Sequence, residues 1–298
     1  MYTTLISVAQ LQALQEKGAA LMVFDCSFEL MNPSAADTLF AQSHITGAVQ
    51  AHLERDLSSH DASSAVNGGR HPLPSRERVA AWLERLGFSN EMQAVVYDRN
   101  GANYCGRLWW MLKWLGHDAV AVLDGGFNAW SAAGGALSSQ DPGRQESTRQ
   151  ASSGAPFAAS SPFKLNPPLR QLVQTQEVVN ALGRPSQTLI DARAAARYRG
   201  EVEPLDPIAG HIPGALNRPF SENLNADGFF KTAQQLRREF EQLLAGRDPS
   251  SVVHHCGSGV SAVPNLLAMD IAGLGPSALY AGSWSEWSNT PGLPCAQG

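Results

Sequence analysis

The chain has 298 residues, of which 43% are hydrophobic and 16% are charged, and its formal net charge is −5 at pH 7. The length suits two domains of ordinary size, and the composition is that of a folded globular protein rather than a disordered one. A mildly acidic chain without a run of lysine and arginine residues argues against a nucleic-acid-binding surface.

The chain begins with MYTTLISVAQLQALQEKG, which lacks the basic start and long apolar stretch of a signal peptide. No later segment is apolar for long enough to cross a membrane, so we expect a cytoplasmic protein. Buried strands are predicted at short apolar segments such as LMVFD, AVVYD, AVAVLD and SVVHH. Helices are predicted at amphipathic segments such as RERVAAWLERLGF and AQQLRREFEQLL. This alternation indicates an α/β fold with a mostly parallel sheet flanked by helices.

The motifs of the first half recur in the same order in the second half. The matching pairs are LMVFD and TLID, HITGAV and HIPGAL, AVVYDRNG and VVHHCGSG, and VLDGGFNAW and LYAGSWSEW. Because the members of each pair stay about 160 residues apart, we infer a duplication. The sequence therefore predicts two α/β domains, at 1–140 and 168–298, joined by a Ser-, Pro- and Gly-rich linker at 141–167.

The two halves differ at the end of one strand. When VVYD is aligned with VHHC, Asp98 stands where Cys256 stands, so one half carries a thiol and the other a carboxylate. The remaining cysteines are Cys26, Cys105 and Cys295, and no pair forms the C-x-x-C of a zinc ribbon or a thioredoxin motif. In a reducing cytosol we expect all four to be free thiols.

Cys256 lies in the segment CGSGVSA, between a predicted strand and a helix-like stretch. Ligands of parallel sheets bind beyond the carboxyl ends of the strands, which is where this cysteine is expected. The small residues 257–261 let backbone N–H groups turn inward, and such a concave loop at a helix N-terminus favours negative charge. We therefore predict a nucleophilic thiolate beside a loop that can hold a second, negatively charged sulfur atom. The alternative is a cysteine in a tight turn whose glycines serve only the geometry.

Several segments together resemble the tandem-domain rhodanese family of thiosulfate and 3-mercaptopyruvate sulfurtransferases. They are CGSGVSA, DARAAARYRG, HIPGA and GGFNAW, with the diverged first half. The resemblance covers nearly the whole chain. It implies an inactive N-terminal rhodanese-like domain, a catalytic C-terminal one, and a sulfur-transfer reaction through a cysteine persulfide. No metal or organic cofactor is then required, because the cysteine carries the sulfur.

The resemblance also implies which residues form the site. The loop CGSGV is typical of family members that prefer 3-mercaptopyruvate, although Ser261 stands where threonine is usual. Residues implied to bind the donor are Arg197, Gly257, Gly259, Val260 and Ser261. A proton relay beside Cys256 is implied at Ser258, His71 of RHPLP and Asp56 of LERDLS. The adjacent His254 and His255 face opposite sides of a strand, so we interpret them as structural rather than as metal ligands.

One departure from the family pattern concerns the donor. Mercaptopyruvate-type members usually carry a second arginine after an acidic, proline-containing stretch, and GEVEPLDPIAGHIPGA has none. Arg218, Arg70 and Arg99 are the candidates to replace it. The predicted donor is 3-mercaptopyruvate and the predicted acceptors are a thiol, such as reduced thioredoxin, or cyanide. Neither a nucleic acid nor a membrane is expected as a partner.

Three alternatives remain. The first is the same chemistry on the same cysteine with thiosulfate as the donor. The second is a non-enzymatic persulfide carrier or regulatory module. The third, a cysteine phosphatase, is disfavoured because Ala262 stands where a Cys-x5-Arg motif requires arginine.

Overall fold

The computed structural model describes residues 1–139 and 161–298, so residues 141–160 of the predicted linker lie outside the described residues. The chain forms two compact units. The first unit consists of Met1–Leu57 and Pro74–Leu169, and the second consists of Ser58–Leu73 and Arg170–Gly298. The segment Ser58–Leu73 thus belongs to the second unit, although it lies within the first half of the sequence.

The first unit contains seven strands and five helices within the described residues. Its strands are β1 (Leu5–Ile6), β2 (Leu21–Asp25), β3 (His44–Ile45), β4 (Val49–Gln50), β5 (Gln93–Tyr97), β6 (Val120–Leu123) and β7 (Leu137–Ser138). Its helices are α1 (Val8–Glu16), α2 (Ala35–Gln42), α3 (Arg76–Arg85), α4 (Cys105–Trp114) and α5 (Gly126–Ala132).

The second unit contains five strands, five α-helices and two short 3-10 helices within its described residues. Its strands are β8 (Leu172–Val173), β9 (Thr188–Asp191), β10 (Leu216–Asn217), β11 (Val252–His255) and β12 (Ala278–Tyr280). Its α-helices are α6 (Thr175–Asn180), α7 (Ala195–Tyr198), α8 (Ala233–Leu244), α9 (Val263–Ile271) and α10 (Ser283–Trp287). The 3-10 helices are Phe220–Asn223 and Pro249–Ser251.

The main sheets of the two units have the same topology. The strand order is β1-β6-β5-β2-β4 in the first unit and β8-β12-β11-β9-β10 in the second, and every neighbouring pair is parallel. The central strands β5 (QAVVY) and β11 (VVHH) are buried throughout, as expected for the middle of a parallel sheet covered on both faces. Equal strand order in both halves is the structural counterpart of the repeated motifs.

Helix ends follow local sequence signals. Helix α8 begins after Thr232, whose hydroxyl accepts the backbone N–H of Gln235 at 3.3 Å. Its buried residues Leu236, Phe240 and Leu244 recur every fourth position and form the face that packs inward. No described helix is long and apolar enough to span a membrane.

The repeated HI-x-GA motif has the same structural role in both units. His44 donates from Nδ1 to the carbonyl of Phe40 at 2.7 Å and stacks on that ring with centroids 4.0 Å apart. His211 donates from Nδ1 to the carbonyl of Tyr198 at 2.8 Å and stacks on it at 3.8 Å. Each histidine is buried among its partners, so this motif stabilises the fold.

Candidate active site

Cys256 is the first residue after β11, at the carboxyl end of the central strand of the second unit. The loop then turns through Gly259, which has a φ of +72°. A Cβ at this position would lie 2.3 Å from the carbonyl oxygen of Ala281, so only glycine fits. Helix α9 begins at Val263. The predicted strand–loop–helix arrangement is therefore present.

The start of α10 fixes the loop in place. The N–H of Cys256 donates to Ser283 Oγ at 3.1 Å, and its carbonyl accepts the N–H of Trp284 at 3.0 Å. The carbonyl of Gly257 accepts the N–H of Ser285 at 2.8 Å. Cys256 is only 1% exposed, so the thiol is held in a defined position away from bulk water.

Several N–H groups of the loop are available for a ligand. Within the described part of the chain, no hydrogen bond is donated by the backbone N–H groups of Gly257, Ser258, Val260, Ser261 and Ala262. Buried backbone donors are almost always paired in folded proteins, so a run of unpaired ones is unusual. Such a set of donors can stabilise an anion beside the thiol.

His71 lies against this loop. Its Nδ1 is 2.7 Å from Ser258 Oγ, and both side chains are buried. The segment that carries it is anchored by neighbouring contacts. The N–H of Arg70 donates to Ser285 Oγ at 3.0 Å, and a Cβ on Gly69, whose φ is +89°, would lie 2.7 Å from the carbonyl oxygen of Gly282. Two members of the predicted relay, 187 positions apart, are therefore hydrogen-bonded.

Asp56, the third predicted member of the relay, belongs to the first unit. Its Oδ2 accepts the N–H of His52 at 2.8 Å. Its part in the relay stays a prediction.

Two arginines border Gly257, the residue that follows the thiol. A Cβ placed on Gly257 would lie 3.3 Å from Arg70 Nη2 and 3.5 Å from Arg197 Nη1. Arg197, at the C-terminal end of α7, is therefore close to the loop as predicted. Arg70 and Asp206 also line an open pocket of about 460 Å³ on the second unit.

Carboxylates hold these cations in place. Glu203 receives Arg197 Nη2 at 2.6 Å and Arg193 Nη1 at 3.3 Å. Burial acts to raise the pKa of Glu203, but the hydrogen bonds from Arg197 and from two backbone N–H groups outweigh it and lower the pKa. Asp191 binds Arg193 at 2.6 Å, and its pKa is likewise lowered, because His255 and Arg193 together outweigh burial.

The paired histidines of β11 are fully buried, and their interpretation as structural residues stays a prediction. Burial lowers the pKa of His254 to about 3, so the ring is neutral, and its Nε2 faces Met269 Sδ at 3.1 Å. Burial also lowers the pKa of His255, which lies 4.0 Å from Asp191. The two side chains have different neighbours, as expected for adjacent strand residues.

Two of the other cysteines, Cys26 and Cys105, are buried in the first unit. Burial, reinforced by nearby aspartates, raises the pKa values of Cys26 and Cys105 well above the ordinary value, so these thiols stay protonated. Cys295 is exposed near the C-terminus.

Sequence reasoning did not identify three contributors to the site. Ser283 and Ser285 hold the loop, and Asp206 binds both arginines of the site. Asp206 lies in the stretch GEVEPLDPIAGHIPGA, where its contacts with the two arginines could not be seen from the sequence. The serines lie in LYAGSWSEW, whose repetition marked the segment without indicating its contacts.

The chain was compared with known proteins. The rhodanese-like domain model matches it twice, at residues 7–133 and 174–290. A Pseudomonas aeruginosa protein named "Probable 3-mercaptopyruvate sulfurtransferase" is 42% identical over 299 residues, which cover 98% of this chain and 100% of that protein. A Mus musculus protein named thiosulfate sulfurtransferase is 32% identical over 275 residues, covering 91% of this chain and 86% of that protein.

Solved structures give the same relationship. The 3-mercaptopyruvate sulfurtransferase of Leishmania major superposes with a TM-score of 0.75 at 30% identity, covering 95% of this chain and 74% of that one. Escherichia coli SseA, described as a 3-mercaptopyruvate sulfotransferase with the rhodanese fold, superposes with a TM-score of 0.71 at 28% identity, covering 96% and 100%. The predicted α/β fold with two rhodanese-like domains is thereby confirmed. Two matched domains that span most of the sequence, and relatives alike from end to end, show that this chain belongs to the rhodanese family.

Proposed function

We propose that the protein is a sulfurtransferase that takes sulfur from 3-mercaptopyruvate and passes it to a thiol or to cyanide. The Cys256 thiolate attacks the donor sulfur, so that an S–S bond forms and the C–S bond breaks. The electron pair of that bond leaves with the carbon as the enolate of pyruvate, which then takes up a proton. The enzyme retains the sulfur as a persulfide on Cys256.

Ser258 and His71 assist the departure of the enolate. The Ser258 hydroxyl hydrogen-bonds the donor carbonyl or delivers the proton, and His71 exchanges protons with that hydroxyl. Asp56 is proposed to orient His71. The hydrogen bond between Ser258 and His71 supports this division of roles, because it links the loop to a titratable group.

The persulfide is held until an acceptor arrives. Its outer sulfur carries negative charge, and the N–H groups of Gly257, Ser258, Val260, Ser261 and Ala262, which have no acceptor among the described residues, stabilise that charge. The acceptor thiolate or cyanide attacks the outer sulfur, the S–S bond breaks, and its electron pair returns to Cys256 as the thiolate. The products are a new persulfide or thiocyanate, and no external oxidant or reductant is required.

The observation that carries this proposal is the 2.7 Å contact between His71 Nδ1 and Ser258 Oγ, two residues beyond the thiol. A donor whose leaving group must be protonated benefits from this pair. Thiosulfate releases sulfite, a stable anion, and needs no such proton. The relay therefore favours the mercaptopyruvate donor.

The test is a steady-state assay with 3-mercaptopyruvate and thiosulfate side by side, using cyanide as the acceptor and Cys256→Ser as the blank. We expect kcat/KM for 3-mercaptopyruvate to be the larger by about tenfold or more. A ratio that favours thiosulfate would contradict the proposed donor while leaving Cys256 as the sulfur carrier.

Thiosulfate is the second candidate donor. The guanidinium groups of Arg70 and Arg197 beside the loop suit a dianion as well as a carboxylate, and the mouse relative is named for thiosulfate. A donor ratio near one in the same assay would indicate an enzyme that uses both.

A further inference from the structure

Ser285 contacts both of the segments that meet at the hydrogen bond between His71 and Ser258. Its backbone N–H donates to the carbonyl of Gly257 at 2.8 Å, and its Oγ accepts the N–H of Arg70 at 3.0 Å. Gly257 directly precedes Ser258, and Arg70 directly precedes His71. Ser285 is only 4% exposed, so water hardly competes for these two hydrogen bonds.

The contacts close a ring within the second unit. Its members are Ser285, Arg70, His71, Ser258 and Gly257. Two links of the ring are peptide bonds, at 70–71 and 257–258, and the remaining links are hydrogen bonds. Both hydrogen bonds of Ser285 end on backbone atoms, so they fix the main chain from which each side chain of the pair extends. The distance between His71 and Ser258 therefore depends on a residue outside that pair.

The hydroxyl of Ser285 leaves the segment around Arg70 little freedom to move. A Cβ on Gly69, whose φ is +89°, would lie 2.7 Å from Ser285 Oγ and 2.7 Å from the carbonyl oxygen of Gly282. The main chain of the segment is thus packed directly against the start of α10. The hydroxyl donates its one proton to the carbonyl of Gly282 at 3.3 Å, which leaves its lone pairs for the Arg70 N–H.

Other backbone hydrogen bonds of the segment have a different role. The N–H of Val66 donates to the carbonyl of Leu73 at 2.8 Å, and the N–H of Ser59 donates to the carbonyl of Pro72 at 2.9 Å. Both bonds join residues of the same segment, so they fix its internal shape. The hydrogen bond to the Ser285 hydroxyl joins its main chain to α10.

Ser283, a second buried serine of α10, contacts only the loop side of the ring. Its Oγ accepts the N–H of Cys256 at 3.1 Å and donates to the carbonyl of Tyr280 at 3.0 Å. Both partners belong to the thiol loop and to the strand beside it. The two serines therefore differ in function, because only the hydroxyl of Ser285 is bonded to the segment that carries His71.

We propose that Ser285 is a positioning residue that sets the distance between His71 and Ser258 for proton transfer to the departing enolate. This inference rests on the proposed function. A proton moves between two heavy atoms only near hydrogen-bonding distance, and a displacement of about 1 Å can lower a rate by about 10²-fold. Without the hydroxyl, the segment of His71 is released, while the thiol loop keeps its bond to the Ser285 N–H. The step that needs a proton is then slowed, whereas the attack of the thiolate is not.

The first experiment removes only the hydroxyl. For Ser285→Ala we expect kcat with 3-mercaptopyruvate to fall about tenfold and KM to change less than about twofold, because the hydroxyl serves proton transfer rather than donor binding. With thiosulfate, whose sulfite leaves without a proton, kcat should change less than about twofold. Steady-state assays with cyanide as the acceptor measure both donors.

A double-variant cycle separates positioning from a structural role. In the His71→Ala background, Ser285→Ala should lower kcat with 3-mercaptopyruvate by less than about twofold, because no histidine remains to be positioned. A hydroxyl that only supports the fold would instead cost the same factor in both backgrounds. Stopped-flow measurement of the first half-reaction gives the rates of all four proteins of the cycle.

Ser288→Ala is the matched control. Ser288 directly follows α10 and is 6% exposed, and its Oγ has no hydrogen-bond partner among the described residues. This variant should leave kcat with both donors within about twofold of the wild type. Gly69→Ala is the second test variant, because its Cβ pushes the segment away from the Ser285 hydroxyl. It should repeat the donor-selective loss, and thermal melting reports whether each variant folds.

Three results would overturn the inference. The first is an equal loss with both donors in folded Ser285→Ala or Gly69→Ala. The second is an undiminished effect of Ser285→Ala in the His71→Ala background. The third is a wild-type kcat with 3-mercaptopyruvate in folded Ser285→Ala.

Failure of the proposed function has a different signature. A wild-type enzyme that does not turn over 3-mercaptopyruvate at all would contradict the proposed donor, whatever the effect of Ser285. Turnover of 3-mercaptopyruvate that depends on His71 but not on Ser285 would contradict only the positioning role.

Discussion

The loops at Asp98 and Cys256 follow equivalent strands, β5 and β11, and turn through glycines with φ values of +68° at Gly101 and +72° at Gly259. Their contents differ. The carboxylate of Asp98 accepts four backbone N–H groups of its own loop at 2.8–3.0 Å, from Asn100, Ala102, Tyr104 and Cys105. In the second unit, the N–H groups aligned with the first three of these have no acceptor among the described residues.

The comparison shows that one backbone can serve two purposes. In the first unit an internal anion accepts four N–H groups of the loop, which stabilises the fold and withholds those four donors from a ligand. In the second unit the shorter side chain of Cys256 does not reach the three aligned donors, which stay unpaired among the described residues at a cost in stability. A binding site for an outside anion is thus obtained by removing the internal one.

The largest effect is expected from making the second loop like the first. Cys256→Asp and Cys256→Ser should both reduce sulfur transfer by at least about 10³-fold, because neither forms a persulfide. Cys256→Asp supplies a charged carboxylate with two acceptor oxygens for the loop N–H groups, whereas Cys256→Ser supplies one neutral hydroxyl, so the free energy of unfolding of Cys256→Asp should be the larger by about 1–3 kcal/mol. Denaturant titration of both variants measures the difference. Equal free energies of unfolding for Cys256→Asp and Cys256→Ser would contradict the idea that unpaired N–H groups of the loop lower the stability of the second unit.

The reverse change in the first loop should cost stability and leave the chemistry intact. Asp98→Asn replaces one carboxylate oxygen by an NH2 group, which cannot accept the two backbone N–H groups bound to that oxygen, so we expect a loss of about 3 kcal/mol. Asp227→Asn, on an exposed loop, is the matched control and should change stability by less than about 0.5 kcal/mol. A neutral result for Asp98→Asn in chemical denaturation would show that its four hydrogen bonds do not stabilise the unit.

A second feature of the Cys256 loop is the neighbouring His71, whose Nδ1 contacts Ser258 Oγ. His71→Ala should lower kcat with 3-mercaptopyruvate by about 10²-fold, because the enolate then leaves without its proton donor. With thiosulfate as the donor the effect should be within about threefold, since no proton is needed. Stopped-flow measurement of the first half-reaction with each donor checks this. Similar losses with both would indicate that His71 supports the loop rather than the proton transfer.

The smallest effect concerns acid stability. His254 aligns with Val96 of the first unit, and folding lowers its pKa from 6.5 to about 3. The unfolded histidine therefore takes up a proton near pH 6.5, whereas the folded one does so only near pH 3. Stability is lost as the pH falls below 6.5, by about 2 kcal/mol at pH 5.

His254→Val should remove that loss. The comparison is the difference in free energy of unfolding between pH 7 and pH 5, measured for the variant and for the wild type. The wild type should lose about 2 kcal/mol more than the variant over this range. Parallel pH curves would show that His254 does not govern the acid sensitivity of the second unit.

The sequence was sufficient for those features that depend on local pattern. The strand before Cys256, the glycine turn and α8 follow from periodicity and from the rigid requirements of a left-handed turn. The substitution of Asp98 for Cys256 was visible by alignment. The alignment did not predict that the Asp98 carboxylate lies inside its own loop, because this position depends on how the backbone closes around it.

Contacts between residues far apart in the sequence could not be predicted from local sequence patterns. His71 and Ser258 were paired only through the family resemblance, since no periodicity links residues so far apart. Arg70 was one of three equal candidates, and only its contact with Asp206 and its distance from Gly257 distinguish it. A side chain of this length reaches many places from one backbone position.

The assignment of Ser58–Leu73 to the second unit has a consequence for how the chain can be divided. A cut before Arg170 would keep Cys256 and Ser258 together but would remove His71 and Arg70, which lie in the first half of the sequence. The second rhodanese-like match, at residues 174–290, therefore does not contain the whole of the compact unit that carries the thiol.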